Sequence, residues 1–167
     1  MNIFSFTAHF GSEEDCRLHF KEQRDKEGVV CKRCGGTSHY WLQGKWSYEC
    51  KGCRFRTSLR SGTIMESSKL PFLVWYKTMF LMSCTKKGFS TNELQKQLGL
   101  KRYEPVWAMV HKLRRAMGNR DARYTLEGMI ELDEGYFSVA SKEIERGKGT
   151  RGRGAEGKQN VAVMAES

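Results

Sequence analysis

The spacing of four cysteines constrains this chain more than any other feature. Cys31-Lys-Arg-Cys34 and Cys50-Lys-Gly-Cys53 stand fifteen residues apart, a Cys-x2-Cys-x15-Cys-x2-Cys arrangement. Two residues between ligands let a tight turn aim both sulfurs at one ion, and two such turns facing each other complete a tetrahedron of thiolates. A redox role for either pair needs a thioredoxin-like βαβ setting, and none surrounds them. Zinc is the expected ion, with Cys31, Cys34, Cys50 and Cys53 as ligands. It is favoured over rubredoxin-like iron because it would staple a basic module too small to fold on its own apolar burial. Four sulfurs leave no open position, so the ion is expected to hold shape and to perform no hydrolysis. Cys16 and Cys84 sit alone in apolar helical patterns and are expected as small core residues.

Around the cysteines, from Val29 to Leu59, the chain reads as short β-type runs. "HYWLQ" and "WSYEC" join at Gly44-Lys45 in the manner of a tight hairpin, and "RFRTSL" is a third run. Lys32, Arg33, Lys51, Arg54 and Arg56 surround the knuckles, with Tyr40, Trp41, Trp46 and Tyr48 between them. Two readings stay open here: a surface that meets phosphates and stacks on exposed bases, or a small aromatic core under solvated charges. Upstream, "GSEEDCRLHFKEQRDKEG" reads as a helix with Ser12 as N-cap and Gly28 as its stop.

Downstream the pattern turns helical. "PFLVWYKTMFLMSCTKKG" is apolar nearly all round, opens at Pro71, carries Lys86 and Lys87 in its last turn, and suits the buried centre of a bundle. Ser90 and Glu93 stand at capping-box spacing before a short helix that Gly99 can end. Pro105 opens a further helix with Val106, Val110, Leu113 and Met117 on one face. Trp75 and Trp107 are expected in the core. This is helix-turn-helix order, which fits either a DNA-reading pair or a plain three-helix bundle. In the first case Lys101, Arg102 and Tyr103 approach base edges and Lys112, Arg114 and Arg115 hold phosphates.

Charge supports a polyanionic partner. Lys and Arg total 29 against 19 acids in 167 residues, a formal charge of +10, which favours nucleic acid first and an anionic membrane surface second. No apolar run is long enough to span a bilayer, and the N-terminus lacks a signal-peptide pattern, so a cytoplasmic protein without membrane contact is expected.

In "MIELDEGYF", Met129 to Phe137, Ile130 and Leu132 alternate with Glu131 and Asp133, and Glu134 follows. The period of two suits a strand, with a second at "QNVAVMA". The separator between them carries five glycines from Gly147 to Gly157 and is expected to be a mobile loop. A carboxylate beside apolar neighbours is costly unless paired, hydrogen-bonded or bound to a cation. An edge-strand acid balanced by nearby cations is one reading. The other is a metal-binding carboxylate of the kind that holds Mg²⁺ in enzymes acting on phosphodiesters.

The order of these pieces resembles the bacterial insertion-sequence transposases, ISXO-like, that join a zinc ribbon to an RNase H-like DDE catalytic domain. The likeness rests on the ribbon spacing, on "SGT" followed by Pro71-x3-Trp75, and on "ELDEGYF" followed by "GRGAEGK". It implies that Asp133 is the first catalytic carboxylate and a magnesium ligand, with the role of Glu134 open. It also implies binding of transposon terminal inverted repeats and target DNA, Mg-dependent hydrolysis and strand transfer, and a homo-oligomer.

The family places a second Asp on a later strand and a third acidic or amide residue beyond it. The 167 residues are therefore expected to be the front part of a longer transposase, inactive in cleavage by themselves. The expected fold class is a multi-module α+β chain. Its parts are an N-terminal helix (1–28), a β zinc ribbon (29–65), a helix-turn-helix-like segment (66–122) and the first strands of an incomplete RNase H-like α/β domain (123–167). The rival from another class is a non-enzymatic zinc-ribbon and helix-turn-helix DNA-binding regulator, and a third is a scaffold that uses the knuckles for protein contact.

Overall fold

A computed structural model describes residues 2–84, 88–121, 123, 125–138 and 158–166. It divides into two compact units, residues 1–120 and 121–167. The glycine-rich separator, together with Lys86 and Lys87, lies outside the described residues.

The first unit opens with two helices. α1 (Ile3–His9) starts at Asn2, whose side chain accepts from the Ser5 N–H, and the sequence reading did not anticipate it. α2 (Glu13–Glu27) has the expected ends. Ser12 and Asp15 form a reciprocal capping box and Gly28, at φ +82°, closes the helix. Three short antiparallel strands follow in the order β1 (His39–Leu42), β2 (Ser47–Cys50) and β3 (Arg56–Ser58). The β1–β2 connection is not the expected two-residue hairpin at Gly44-Lys45. Residues Gln43–Lys45 make a 3-10 turn and Trp46 takes the left-handed position at φ +46°. A bulky residue tolerates that backbone only when its ring is held, and Trp46 is held edge-on against Trp41 with centroids 5.9 Å apart.

Three helices complete the unit: α3 (Phe72–Cys84), α4 (Thr91–Gln97) and α5 (Tyr103–Asp121). Pro71 stands just before α3, and its carbonyl accepts from the Trp75 N–H. The free amides of the α3 first turn are satisfied from far away. The Glu13 carboxylate at the start of α2 accepts from the N–H groups of Phe72 (3.1 Å) and Leu73 (2.9 Å). One carboxylate thus caps the helix that packs on its own, where the helix dipole favours negative charge. α4 begins as expected, with the Ser90 hydroxyl accepting from the Glu93 N–H. It ends in a Schellman arrangement: Leu100 N–H to the Gln95 carbonyl, Gly99 N–H to the Lys96 carbonyl, and Gly99 at φ +64°.

The core joins ribbon and helices. Phe6, Cys16, Val29, Tyr48, Leu59, Met65, Phe72, Trp75, Tyr76, Leu94, Val106, Met109, Val110 and Leu113 form one buried cluster. Cys16 and Trp75 are fully buried as expected. Three expectations fail. Cys84 is exposed because it is the last residue of α3, past the core. Met117 is exposed because it stands on the last turns of α5, beyond the buried stripe that reaches Leu113. Trp107 is half exposed because Met109, not Trp107, joins Val106, Val110 and Leu113 on the inner stripe.

The second unit is an antiparallel pair, β4 (Ile130–Ser138) and β5 (Lys158–Glu166), with Asp133 opposite Val163. Facing pairs share a side of the sheet, so Asp133 and Glu131 lie with Val163 and Val161, and Leu132 lies with Met164. The expected division into one apolar and one acidic face is therefore replaced by two mixed faces. Leu132, Phe137, Val161, Val163 and Met164 are all exposed.

Candidate metal centre and nucleic-acid surfaces

The two cysteine knuckles repeat the same backbone. Cys31 N–H donates to the Gly36 carbonyl and Gly35 N–H to the Cys31 carbonyl; five and four residues on from Cys50, Phe55 and Arg54 make the same two bonds. Each knuckle turns through a left-handed residue, Gly35 at φ +73° in the first and Arg54 at φ +57° in the second. This geometry brings the four sulfurs within 4.8 Å of one another, with Cys31 to Cys53 and Cys34 to Cys50 each at 3.5 Å. A tetrahedral zinc with bonds of about 2.3 Å has sulfurs separated by about 3.8 Å, so the cage fits that ion. A Cβ at Gly36 would stand in van der Waals contact with the sulfurs of Cys34 and Cys50, at 3.4 and 3.5 Å.

The sulfurs differ in their hold on a proton. Burial pushes the Cys31 thiol up, but the N–H groups of Cys34 and Arg33 and the adjoining sulfurs outweigh it and bring it down to about 6. The Cys53 N–H leads the groups that lower Cys50. The Gly36 N–H favours the Cys34 thiolate, yet crowding by Cys53, Cys50 and Cys31 drives that group up to about 12. Four thiolates this close repel one another unless a cation sits among them, and a divalent ion removes the conflict. Among the described residues these cysteines are the one group of three or more side chains placed to hold an ion together.

The ribbon's aromatics face α2 and are not a free stacking platform. Tyr48 is buried and donates to the Asp25 carboxylate at 2.8 Å, Lys21 lies over Trp41, and Arg17 lies over Trp46. Tyr40 alone of the four is exposed, with the Lys51 amine 4.9 Å from its ring. The small-core reading therefore describes Trp41, Trp46 and Tyr48.

The expected DNA-contacting cations divide into two groups. Lys32 pairs with the Glu66 carboxylate at 2.6 Å, and Lys112 donates to the Glu66 backbone carbonyl at 2.6 Å. Glu66 also accepts from the Gly62 N–H, and its carboxyl is held below the usual range, chiefly by Lys32. This residue ties the first knuckle to α5, and no local sequence signal marks it. Arg114 donates to the Phe89 carbonyl at 3.2 Å and Arg102 lies 3.9 Å from Glu104. Arg33, Arg54, Lys101 and Arg115 are exposed and have no side-chain partner among the described residues.

Sequence reasoning also missed the pair Trp107 and His111 on the outer side of α5, whose rings lie 4.1 Å apart. Their spacing of four residues is the signal that could have found them.

In the hairpin, Asp133 is exposed, and its Oδ1 accepts from the Glu134 N–H at 2.8 Å; Tyr136 donates to Glu134 at 3.4 Å. Carboxylate oxygen suits a hard cation, but one such ligand does not make a site.

Comparison with known proteins agrees with the ribbon. Residues 11–56 match a family described as the transposase zinc-ribbon domain, so the matched stretch takes in α2 as well as the cysteines. The chain is also 30% identical, over 170 residues, to an uncharacterized protein in the transposable element ISH50 of Halobacterium salinarum. That alignment covers 94% of this chain and 56% of the relative, so the chain spans little more than half the relative's length. No solved structure matches the chain. No described helix is long and apolar enough to cross a membrane. The two matches connect the ribbon with the zinc ribbons of transposases, and the chain around it with a protein of a transposable element.

Proposed function

We propose that residues 2–120 are the DNA-binding part of a transposase, in which the zinc ribbon and the helix-turn-helix-like segment α3–α5 bind the terminal inverted repeats of the element. The observation that carries the reading is the coincidence of a cage shaped for zinc with a match to the zinc ribbon of transposases. Three further features support it. The excess of ten positive charges suits a phosphate backbone. Arg33, Arg54, Lys101 and Arg115 are left open on the surface of one compact unit. The Schellman turn at Gly99 leads from α4 toward α5, an order that suits a reading pair.

Arg54 adds an argument from strain. Its backbone occupies the left-handed position that glycine fills in the sister knuckle, at a cost of about 1 kcal/mol for a residue with a Cβ. A long basic side chain kept at such a position fits a role for its charge.

The hairpin is proposed as the opening of the RNase H-like domain, with Asp133 as its first metal-binding carboxylate. Two mixed faces suit a sheet that is covered on both sides, as in layered α/β domains. When bound, Mg²⁺ supplies activation of water and stabilisation of the leaving oxygen. The part of Asp133 is to present one oxygen ligand at a fixed place on a strand. With further carboxylates beside it, Asp133 would help hold the metal that the end cleavage and strand transfer of transposases require, in a homo-oligomer that pairs the element's ends.

The test uses the 167-residue chain loaded with zinc. It is expected to bind a 30-bp duplex with an affinity that falls steeply between low and moderate salt, and to leave supercoiled plasmid intact in Mg²⁺. Absence of duplex binding sinks the DNA-binding reading; nicking of the plasmid sinks the assignment of the remaining carboxylates to a later part of the protein.

A further inference from the structure

The outer face of α5 carries side chains that the core does not use. Tyr103, Trp107, His111 and Arg114 follow at intervals of four, four and three residues, which stacks them along one stripe of a helix. All four are exposed, and the adjoining stripe, Val106, Met109, Val110 and Leu113, is buried. Trp107 is 48% exposed, with His111 against one side of its ring at 4.1 Å. Single exposed aromatics are ordinary on protein surfaces, but an ordered aromatic pair in a row with an arginine is a recognition pattern.

The surroundings select the partner. Lys101 and Arg102 stand at the start of the stripe and Arg115 beside its far end, against one acid, Glu104, which already lies 3.9 Å from Arg102. A cationic rim around an apolar centre matches a duplex groove, where phosphates flank base edges. The dimensions agree. The eleven residue steps from Tyr103 to Arg114 rise about 16 Å along the helix axis, and a helix fits the roughly 12 Å wide major groove. The helix is also tied to the rest of its unit, by Lys112 on the Glu66 carbonyl and by Arg114 on the Phe89 carbonyl, so its outer row is in place before any ligand arrives.

We propose that Trp107 and His111 read base edges in the major groove of duplex DNA, while Arg115 holds the phosphates beside them. Trp107 offers apolar contact to a thymine methyl group, and His111 offers a ring nitrogen to a base-edge donor or acceptor. Lys112, on the side turned to Glu66, takes no part in the readout. This inference rests on the DNA-binding reading above and assigns its specificity to a pair of side chains.

The test selects duplexes from a pool with a random 20-bp centre on the zinc-loaded 167-residue chain, then compares the recovered duplex with a scrambled one. The native chain is expected to prefer the recovered duplex. In Trp107→Ala and His111→Ala the affinity ratio between the two duplexes is expected to fall by about tenfold or more. In Arg115→Ala both affinities should fall together and the ratio should stay within about twofold. Zinc content and helical circular dichroism establish that each variant is folded; these positions lie outside the core, and Trp107→Phe serves as a second variant if Trp107→Ala is unfolded. Recovery of no preferred duplex overturns the inference, as does a native ratio in folded Trp107→Ala and His111→Ala, or tighter binding to single strands than to duplex. A native chain that binds no duplex overturns the underlying reading instead.

Discussion

The ribbon and the hairpin are both antiparallel β structures, and they are built on opposite terms. The ribbon's strands have four, four and three residues, yet Ser47, Tyr48, Cys50 and Thr57 are buried. The hairpin's strands have nine residues each, a full ladder of pairs, and no residue among its described side chains that is buried. Backbone pairing is therefore not what makes the ribbon a module. Its cover does that: α2 lies over the aromatics and four sulfurs close the end. The hairpin has the longer ladder and no cover among the described residues of its own unit, and its exposed apolar side chains suit packing.

The largest effect follows from removing the ribbon's metal cover. A chelator strong enough to take zinc, or Cys50→Ser, is expected to abolish the near-ultraviolet signal of Trp41, Trp46 and Tyr48 and the ordered amide resonances of residues 31–58. The resonances of β4 and β5 should stay unchanged. Equal disturbance of the hairpin would break the comparison.

Next comes the shared core. Trp75 is fully buried, so Trp75→Ala should destabilise the first unit by about 3–5 kcal/mol in denaturant unfolding. Leu132→Ala, on the exposed hairpin, should change stability by less than about 0.5 kcal/mol.

The cap between helices is smaller. Glu13→Ala removes the acceptor of the Phe72 and Leu73 N–H groups and the partner of Arg17, and should cost about 1–2 kcal/mol. Glu14→Ala, one residue on and without such bonds, is the control.

The smallest shifts test the knuckle and the helix seam. Arg54→Gly should raise stability by about 0.5–1 kcal/mol, by relief of a left-handed backbone, and should weaken duplex binding at the same time. Opposite signs in the two measurements separate the residue's backbone from its charge. Asp25 gives a pH dependence. Burial raises its carboxyl, but Lys21 and Tyr48 outweigh burial and leave it below its ordinary value of 3.8. Its contribution is therefore complete above that value and is lost as pH falls toward the lowered one. Tyr48→Phe should shrink this acid-side loss, measured as unfolding midpoints between pH 5 and 2.5 (a range set by about one unit either side of the ordinary carboxylate value).

Some of this was legible because short spacings encode local geometry. Two Cys-x-x-Cys turns specify a cage, Ser12 and Gly28 specify the ends of α2, and Gly99 specifies the turn before α5. These features need only a few neighbouring residues. What periodicity could not decide is which of two apolar stripes turns inward. α5 offers Val106-Val110-Leu113 on one side and Tyr103-Trp107 on another, and only packing against α3 and α4 separates them. Met117 and Cys84 stand near the ends of α5 and α3, outside the buried cluster, which depends on how the helices pack together. Glu13 on α3 and Glu66 between Lys32 and Lys112 act across 59, 34 and 46 residues, beyond any window a local pattern sees. The matched zinc-ribbon stretch begins at residue 11, which agrees with α2 and the strands folding as one piece.

One measurement reaches the centre of the account: titration of a 30-bp duplex with the zinc-loaded and the metal-stripped chain at low and at moderate salt. One zinc per chain, binding that weakens at least tenfold with added salt, and a large loss of that binding on metal removal are the expected results. Equal affinity with and without the metal, or binding indifferent to salt, would contradict a zinc-tied, phosphate-holding module.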